Sequence, residues 1–406
     1  MGRQPLARTG ELLPSDHRDD RQRQSDRCQV GLPSSRVQHM AGSALTSQFD
    51  AIAGEMPATA ERTAQRGDDM KISRRPILTI SAGTGATLLL ALVGTVPAAS
   101  AQEVLPLITE AQYEGWLENL SNWGRWGPDD EIGALNLITP AKRRAAAALV
   151  QEGITVSLAR TAQTQGGVDN PCPVQWEMVN ASARGASDRV AYRCIHGLGS
   201  THIDGFAHRF FGGKMWNGYP VADTVTMSGG ASKNAVLTMK DGIITRGVLY
   251  DIPKLKGVPY LEPGTRITIA DLEAWEAKTG VSVGPGDAML LRWGRWARRE
   301  AVGPFDTWAE AAGFDNEVIP WLKERDIAIL GWETPGYTPR PEGDLPTLAL
   351  HDFALTMLGI HLIDRADLAA LSEMAQAQGR WEFMLTIAPL PIPNGTGSPV
   401  NPIAMF

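Results

Sequence analysis

Five of the seven histidines of this chain sit in two short stretches. The first reads His196-Gly-Leu-Gly-Ser-Thr-His202-Ile-Asp204-Gly-Phe-Ala-His208. The second runs from Leu350-His351-Asp352 to Ile360-His361-Leu362-Ile363-Asp364. Imidazole is both a good ligand for divalent transition metals and the side chain that titrates near neutrality. Histidines gathered beside carboxylates therefore point to a metal or acid–base site. His202 and Asp204 are two residues apart, and on an extended segment such residues share a face, so both can reach one cation. A His/Asp donor set without thiolate suits Zn2+ or Mn2+ rather than copper or an iron–sulfur cluster. Three protein ligands with an open position would let one or two such ions activate water for attack on an amide, lactam or ester carbonyl. His361, in an apolar run, reads as a hydrogen-bonded structural histidine.

The elements around these residues are readable. Arg189–Ile195 alternates with β-branched and aromatic residues and predicts a strand over 189–195 that runs out into the Gly-rich turn before His202. Leu350, Phe353, Ala354, Met357 and Leu358 fit a helical period and predict a buried helix over 347–358. Thr109 with Gln112 forms a capping box for a helix over 110–121. Thr139-Pro140 opens another that ends before Gly153. Further helices are expected over 270–279, 315–325 and 366–378. Strands are expected over 154–160, 174–180, 244–251, 287–293, 327–332 and 381–388. Strands and helices mix without strict alternation, which predicts an α/β (mixed α+β) fold. No linker divides 102–406, so one catalytic domain is expected there. No G-x-S-x-G elbow, P-loop or H-E-x-x-H is present.

Composition bounds the function. The chain has 406 residues, 43% hydrophobic and 20% charged, with a net charge of −7. Phosphate binding wants a basic face, so nucleic acid is not an expected partner. Residues 70–101 read as an export signal: basic Lys71-Ile72-Ser73-Arg74-Arg75, an apolar stretch, then the small-residue box Ala99-Ser100-Ala101. Ser73-Arg74-Arg75 resembles a twin-arginine signal, and the apolar core is too short for a membrane anchor. The expected location is therefore periplasmic or secreted. Residues 1–69 read as an over-extended start or a disordered segment. Beyond the signal remain 26 basic and 35 acidic residues and two cysteines, Cys172 and Cys194. These two could pair in an oxidising compartment or stay as separate buried thiols.

The first histidine stretch resembles the hallmark H-x-G-T-H-x-D-x-P-x-H of the metal-dependent cyclase superfamily, which includes kynurenine formamidases and isatin hydrolases. Thr201, His202, Asp204 and His208 match in register. Trp123–Pro140, Pro285–Arg292, Gly331–Pro335 and Leu350–Leu371 are similar to other parts of its longer members, so the likeness spans about 122–390. The resemblance implies a swivelling β/β/α fold, usually dimeric. It implies metal ligation by His202 and Asp204, His208 as general acid/base, and His351 and Asp364 as second-metal ligands or groups orienting water. The sequence departs at two ligand positions. The first family histidine falls on Leu198, with His196 two residues earlier as a shifted ligand. The later acidic ligand, a Glu in kynurenine formamidase, falls on Asp364. The family's proline falls on Phe206. Kynurenine formamidases use two zinc ions and isatin hydrolases one manganese, so a one-metal or rearranged two-metal site is expected.

The expected activity is metal-dependent hydrolysis of a C–N bond in a small amide or lactam, arylformamidase-like. An export signal argues against N-formylkynurenine itself as substrate. A non-catalytic metal- or ligand-binding protein, or a metal-dependent lyase or cyclase, remain alternatives. Phe206, Phe210, Phe211, Trp216 and Trp332 could wall an aromatic substrate pocket or pack the core.

Overall fold

The computed structural model describes residues 107–334, 345 and 349–406. The export signal expected over 70–101, and residues 1–69, lie outside them. Among the described residues no helix is long and apolar enough to cross a membrane.

A nine-stranded mixed sheet organises the domain. Its middle is parallel: Ile243–Asp251, Ala288–Arg292, Ile329–Trp332 and His361–Asp364 lie side by side. These strands read as near-continuous apolar runs because both faces are covered, and Met289, Leu290, Ile329 and Leu330 have no exposed surface. Antiparallel strands close both edges. Glu382–Ile387, Ile403–Met405 and Thr155–Ser157 follow Ile243–Asp251 on one side. His202–Asp204 and then Gly397–Pro399 follow His361–Asp364 on the other. This is the expected α/β architecture.

The helices form where local chemistry starts and stops them. Glu110–Asn119 carries the capping box of Thr109 and Gln112. Pro140–Ala147 begins on Thr139 and ends earlier than the expected limit at Gly153. Ile269–Thr279 stops at Gly280 in the left-handed region, as a C-terminal glycine permits. Arg295–Val302, which no sequence signal marked, has its N-terminus covered from a distance. One oxygen of buried Glu333 accepts from the backbone N–H groups of Trp293, Gly294 and Arg295 at 2.6–3.0 Å. The expected helix over 347–358 is an α-turn, Ala349–Phe353, followed by a π-turn, Ala354–Leu358.

One expectation is corrected and one open alternative is decided. The strand expected over 189–195 is Gly185–Ala191, and it ends before His196. It pairs with Gln175–Ser182 in a separate ribbon outside the main sheet. Nearly every residue of that ribbon is exposed, because its apolar and aromatic residues cover no core. The cysteines are also joined: Cys172 and Cys194 form a disulfide at the base of the ribbon, with Cα atoms 6.1 Å apart.

A two-stranded ribbon alone is marginal in water, so the disulfide should be what keeps it closed. Replacing both cysteines by serine should speed trypsin cleavage at Arg184 or Arg189 about tenfold while leaving the main sheet folded. Limited proteolysis followed by mass spectrometry reads this directly. Equal cleavage rates would show that the ribbon closes without the bridge.

Candidate metal centre

Strand register builds the centre. His202 stands directly opposite Asp364 in the antiparallel pair, and Asp204 follows His202 by two residues. Opposed and alternate residues share a face, so the three project together. Ile203 and Ile363 project the other way into the core. Trp332 ends the neighbouring parallel strand and donates its indole N–H to Asp364 Oδ1. His351 comes from the short helix Ala349–Phe353 above this face, and His208 from the single turn Phe206–His208 after the strand.

The polar atoms converge. His202 Nε2 lies 3.5 Å from Asp204 Oδ1 and 3.8 Å from Asp364 Oδ2. His351 Nε2 lies 3.2 Å from Asp204 Oδ2 and 3.7 Å from Asp364 Oδ2. His208 Nε2 stands 4.0 Å from Asp204 Oδ2. Among the described residues, two sets have ligand atoms all within 4.8 Å of one another: His196, His202 and Asp204, and Asp204, His208 and His351. Asp364 joins both through His202 and His351. All six residues expected at the site are thus brought together.

The set fits a metal ion. Ligands held at 2.0–2.2 Å from one cation lie roughly 3–3.5 Å apart, close to the separations here. Asp204 is fully buried, yet its Oδ2 has no hydrogen-bond partner. His202 Nδ1 donates to the carbonyl of Ser200 at 2.9 Å, which leaves the Nε2 lone pair for a cation. Asp352 Oδ1 lies 3.5 Å behind His351 Nδ1, and Arg209 holds Asp352 through two hydrogen bonds. Trp332 occupies one oxygen of Asp364 and leaves the other toward His202 and His351.

Electrostatics agree. Burial works against the Asp204 carboxylate, but His208 and His196 outweigh it and hold its pKa well below the usual range. Burial also works against charge on His351, yet the carboxylates of Asp204, Asp352 and Asp364 around its ring raise its pKa well above the usual imidazole range. The spot is one where positive charge is favoured. Burial pushes His202 and His208 down.

His361 is structural, as expected. Its Nδ1 donates to the carbonyl of Asp204 at 2.9 Å, its ring stacks on Phe206, and burial lowers its pKa to about 4. Phe206 and Trp216 do not wall a pocket: both are fully buried, packed on each other in the core. Phe210 and Phe211 remain partly exposed. Sequence reasoning missed the donor role of Trp332 and the part played by Asp352, whose position next to His351 was the available signal. It also missed Thr396, whose Oγ1 lies 2.9 Å from His196 Nε2, and Gly397, directly opposite Asp204 on the edge strand; both sit far along the chain in a segment with no motif.

Trp332→Phe removes the indole donor and keeps an aromatic ring. Divalent metal affinity, measured by chelator competition, should fall about ten- to hundredfold. The metal-dependent rise in melting temperature should shrink with it. An unchanged affinity would mean that Asp364 needs no orienting partner.

Comparison with known proteins places this chain in a family. The Cyclase family, described as putative cyclase, matches residues 151–339. A solved structure described as a novel cyclase is 32% identical, with a TM-score of 0.63 over 71% of this chain and 99% of that one. Isatin hydrolase A from Labrenzia aggregata is 20% identical, with a TM-score of 0.44 over 64% of this chain and 94% of that one. Isatin hydrolase A from Ralstonia solanacearum is 19% identical, with a TM-score of 0.41 over 66% and 97%. No curated protein matches. With its near-complete coverage of a cyclase structure at that identity, this chain belongs to the cyclase family.

Proposed function

We propose that this protein is a metal-dependent hydrolase that cleaves a C–N bond in a small amide or lactam, using one Zn2+ or Mn2+ ion. The observation that carries the reading is the convergence of four buried donors, His202, Asp204, His351 and Asp364, beside a fifth, less buried group, His208. Bound among those four, a divalent cation supplies Lewis acidity, polarising a carbonyl and making water more acidic.

The side chains of the chain do the remaining work. His208 is about one-fifth exposed, with Nε2 facing Asp204 across 4.0 Å. It is placed to take a proton from the attacking water and return it to the leaving nitrogen. Asp204 and Asp364 balance positive charge in the buried site, and each presents one oxygen to it. Trp332, buried and stacked on His351 with ring centroids 6.2 Å apart, excludes bulk water from that wall of the site. A small substrate would approach from the side of His208 and His196, the two site histidines with exposed surface.

The test is turnover of a panel of N-formyl arylamides and aryl lactams by the Zn2+- and Mn2+-loaded protein, with product analysis in 18O-labelled water. Hydrolysis must incorporate solvent oxygen, whereas a lyase or cyclase reaction need not. His208→Ala should lower kcat by about 10²–10⁴ while the metal stays bound. Unchanged turnover in that variant would remove the role assigned to His208. Metal binding with no turnover on any substrate would favour a binding protein.

A further inference from the structure

The histidine nearest the vacated first position of the family motif does not offer a lone pair. His196 Nδ1 lies 2.7 Å from Asp204 Oδ1, and a carboxylate oxygen only accepts, so Nδ1 carries the hydrogen. His196 Nε2 lies 2.9 Å from Thr396 Oγ1. Both ring nitrogens are therefore engaged in hydrogen bonds. The ring is also stacked on His208, with centroids 3.5 Å apart and planes 6° from parallel. Behind it sits Gly397, directly opposite Asp204 on the edge strand. A Cβ at Gly397 would come within 2.6 Å of His196 Cε1. The edge strand is thus shaped to seat an imidazole. Leu198, where the family motif places its first histidine, is buried.

We infer that His196 is a positioning residue for the centre and not one of its metal ligands. It ties down Asp204 Oδ1, so that the partnerless Oδ2 is the oxygen left toward His351. Its ring face sets the plane of His208. Thr396 and Gly397 hold it for both tasks. This makes a single-ion centre with His202, Asp204, His351 and Asp364 as ligands. The inference rests on the metal-centre reading above, but it is read out by metal binding alone.

The experiment compares three variants of the protein with wild type. His202→Ala removes a ligand, His196→Phe keeps the stacked ring and loses both hydrogen bonds, and His196→Asn keeps a donor near the position of Nδ1. Bound metal is counted by mass spectrometry, Kd is measured by chelator competition, and the Co2+-loaded proteins are compared by visible absorption. Wild type should bind one equivalent and His202→Ala almost none. His196→Phe should still bind one equivalent, with Kd weakened about ten- to hundredfold and the Co2+ bands unmoved. His196→Asn should recover the affinity to within about threefold while kcat falls, because His208 loses its stacking partner. Should His196→Phe fail to fold, Thr396→Val tests the same linkage with a weaker Kd at full stoichiometry.

The inference is overturned if His196→Phe loses metal as completely as His202→Ala, or if its Co2+ bands shift as for a lost ligand. It is also overturned if wild type binds two ions and His196→Phe one, or if Kd is the same in His196→Phe as in wild type. Wild-type protein that shows the expected metal pattern but no hydrolysis would sink the hydrolase reading alone. Wild-type protein that binds no metal would sink both.

Discussion

A carboxylate with no exposed surface must be surrounded by compensating charge or hydrogen bonds, and Asp204 sets that requirement for the whole domain. Stranding an ionised carboxylate in the interior costs several kcal/mol even after relaxation. Four histidines face it from two stretches of chain: His196 before its own strand, His202 on it and His208 after it, and His351 some 150 residues later. Its backbone carbonyl takes a fifth, His361. The local stretch supplies three of these partners but not His351, His361 or Asp364, so the centre is complete only once the sheet has brought the two histidine stretches side by side.

The sheet does this through register. A one-residue slip between His202–Asp204 and His361–Asp364 would turn one set of side chains to the opposite face. Several contacts pin the pair. Thr201 Oγ1 donates to the carbonyl of Arg365 at 2.6 Å, just beyond the paired residues. Buried Arg295 reaches the carbonyls of Glu333 and Leu198, tying the end of the Trp332 strand to the loop that leads into His202. Glu333 in turn covers the N-terminus of the helix that carries Arg295. The residues next to the centre are thus fixed by hydrogen bonds between side chains and backbone groups of neighbouring elements.

How much of this could be read in advance follows from the range of each interaction. His202 and Asp204 were legible because two-residue spacing on a strand is a local property. The capping box at Thr109 and the start at Thr139-Pro140 were legible for the same reason. The central strands were visible as apolar runs, although nothing local told their order in the sheet. The helix Arg295–Val302 was not legible, because its cap comes from Glu333, 38 residues further along the chain. The seat for His196 was hidden for a similar reason: Thr396 lies 200 residues away, and Gly397 contributes by lacking a side chain. The exposed ribbon misled the reading of the stretch before His196, since alternation marks a strand but does not say which sheet takes it.

Charge balance argues for one ion in this arrangement. Among the described residues, the carboxylates that face the centre are Asp204 and Asp364, both buried, and two negative charges match one divalent cation. Asp352 stands behind His351, but Arg209 already pairs with it through both oxygens. Glu333, although close in sequence to Trp332, directs Oε2 to three backbone N–H groups. A second divalent ion would therefore bring two uncompensated positive charges into a buried site, a large desolvation cost. The two departures from the family motif act in the same direction. Leucine at position 198 withdraws a neutral ligand, and aspartate at 364, one methylene shorter than glutamate, has one oxygen taken by Trp332. On the proposed reading, what remains is a donor set whose charge a single cation would balance, with His208 beside it as the proton carrier.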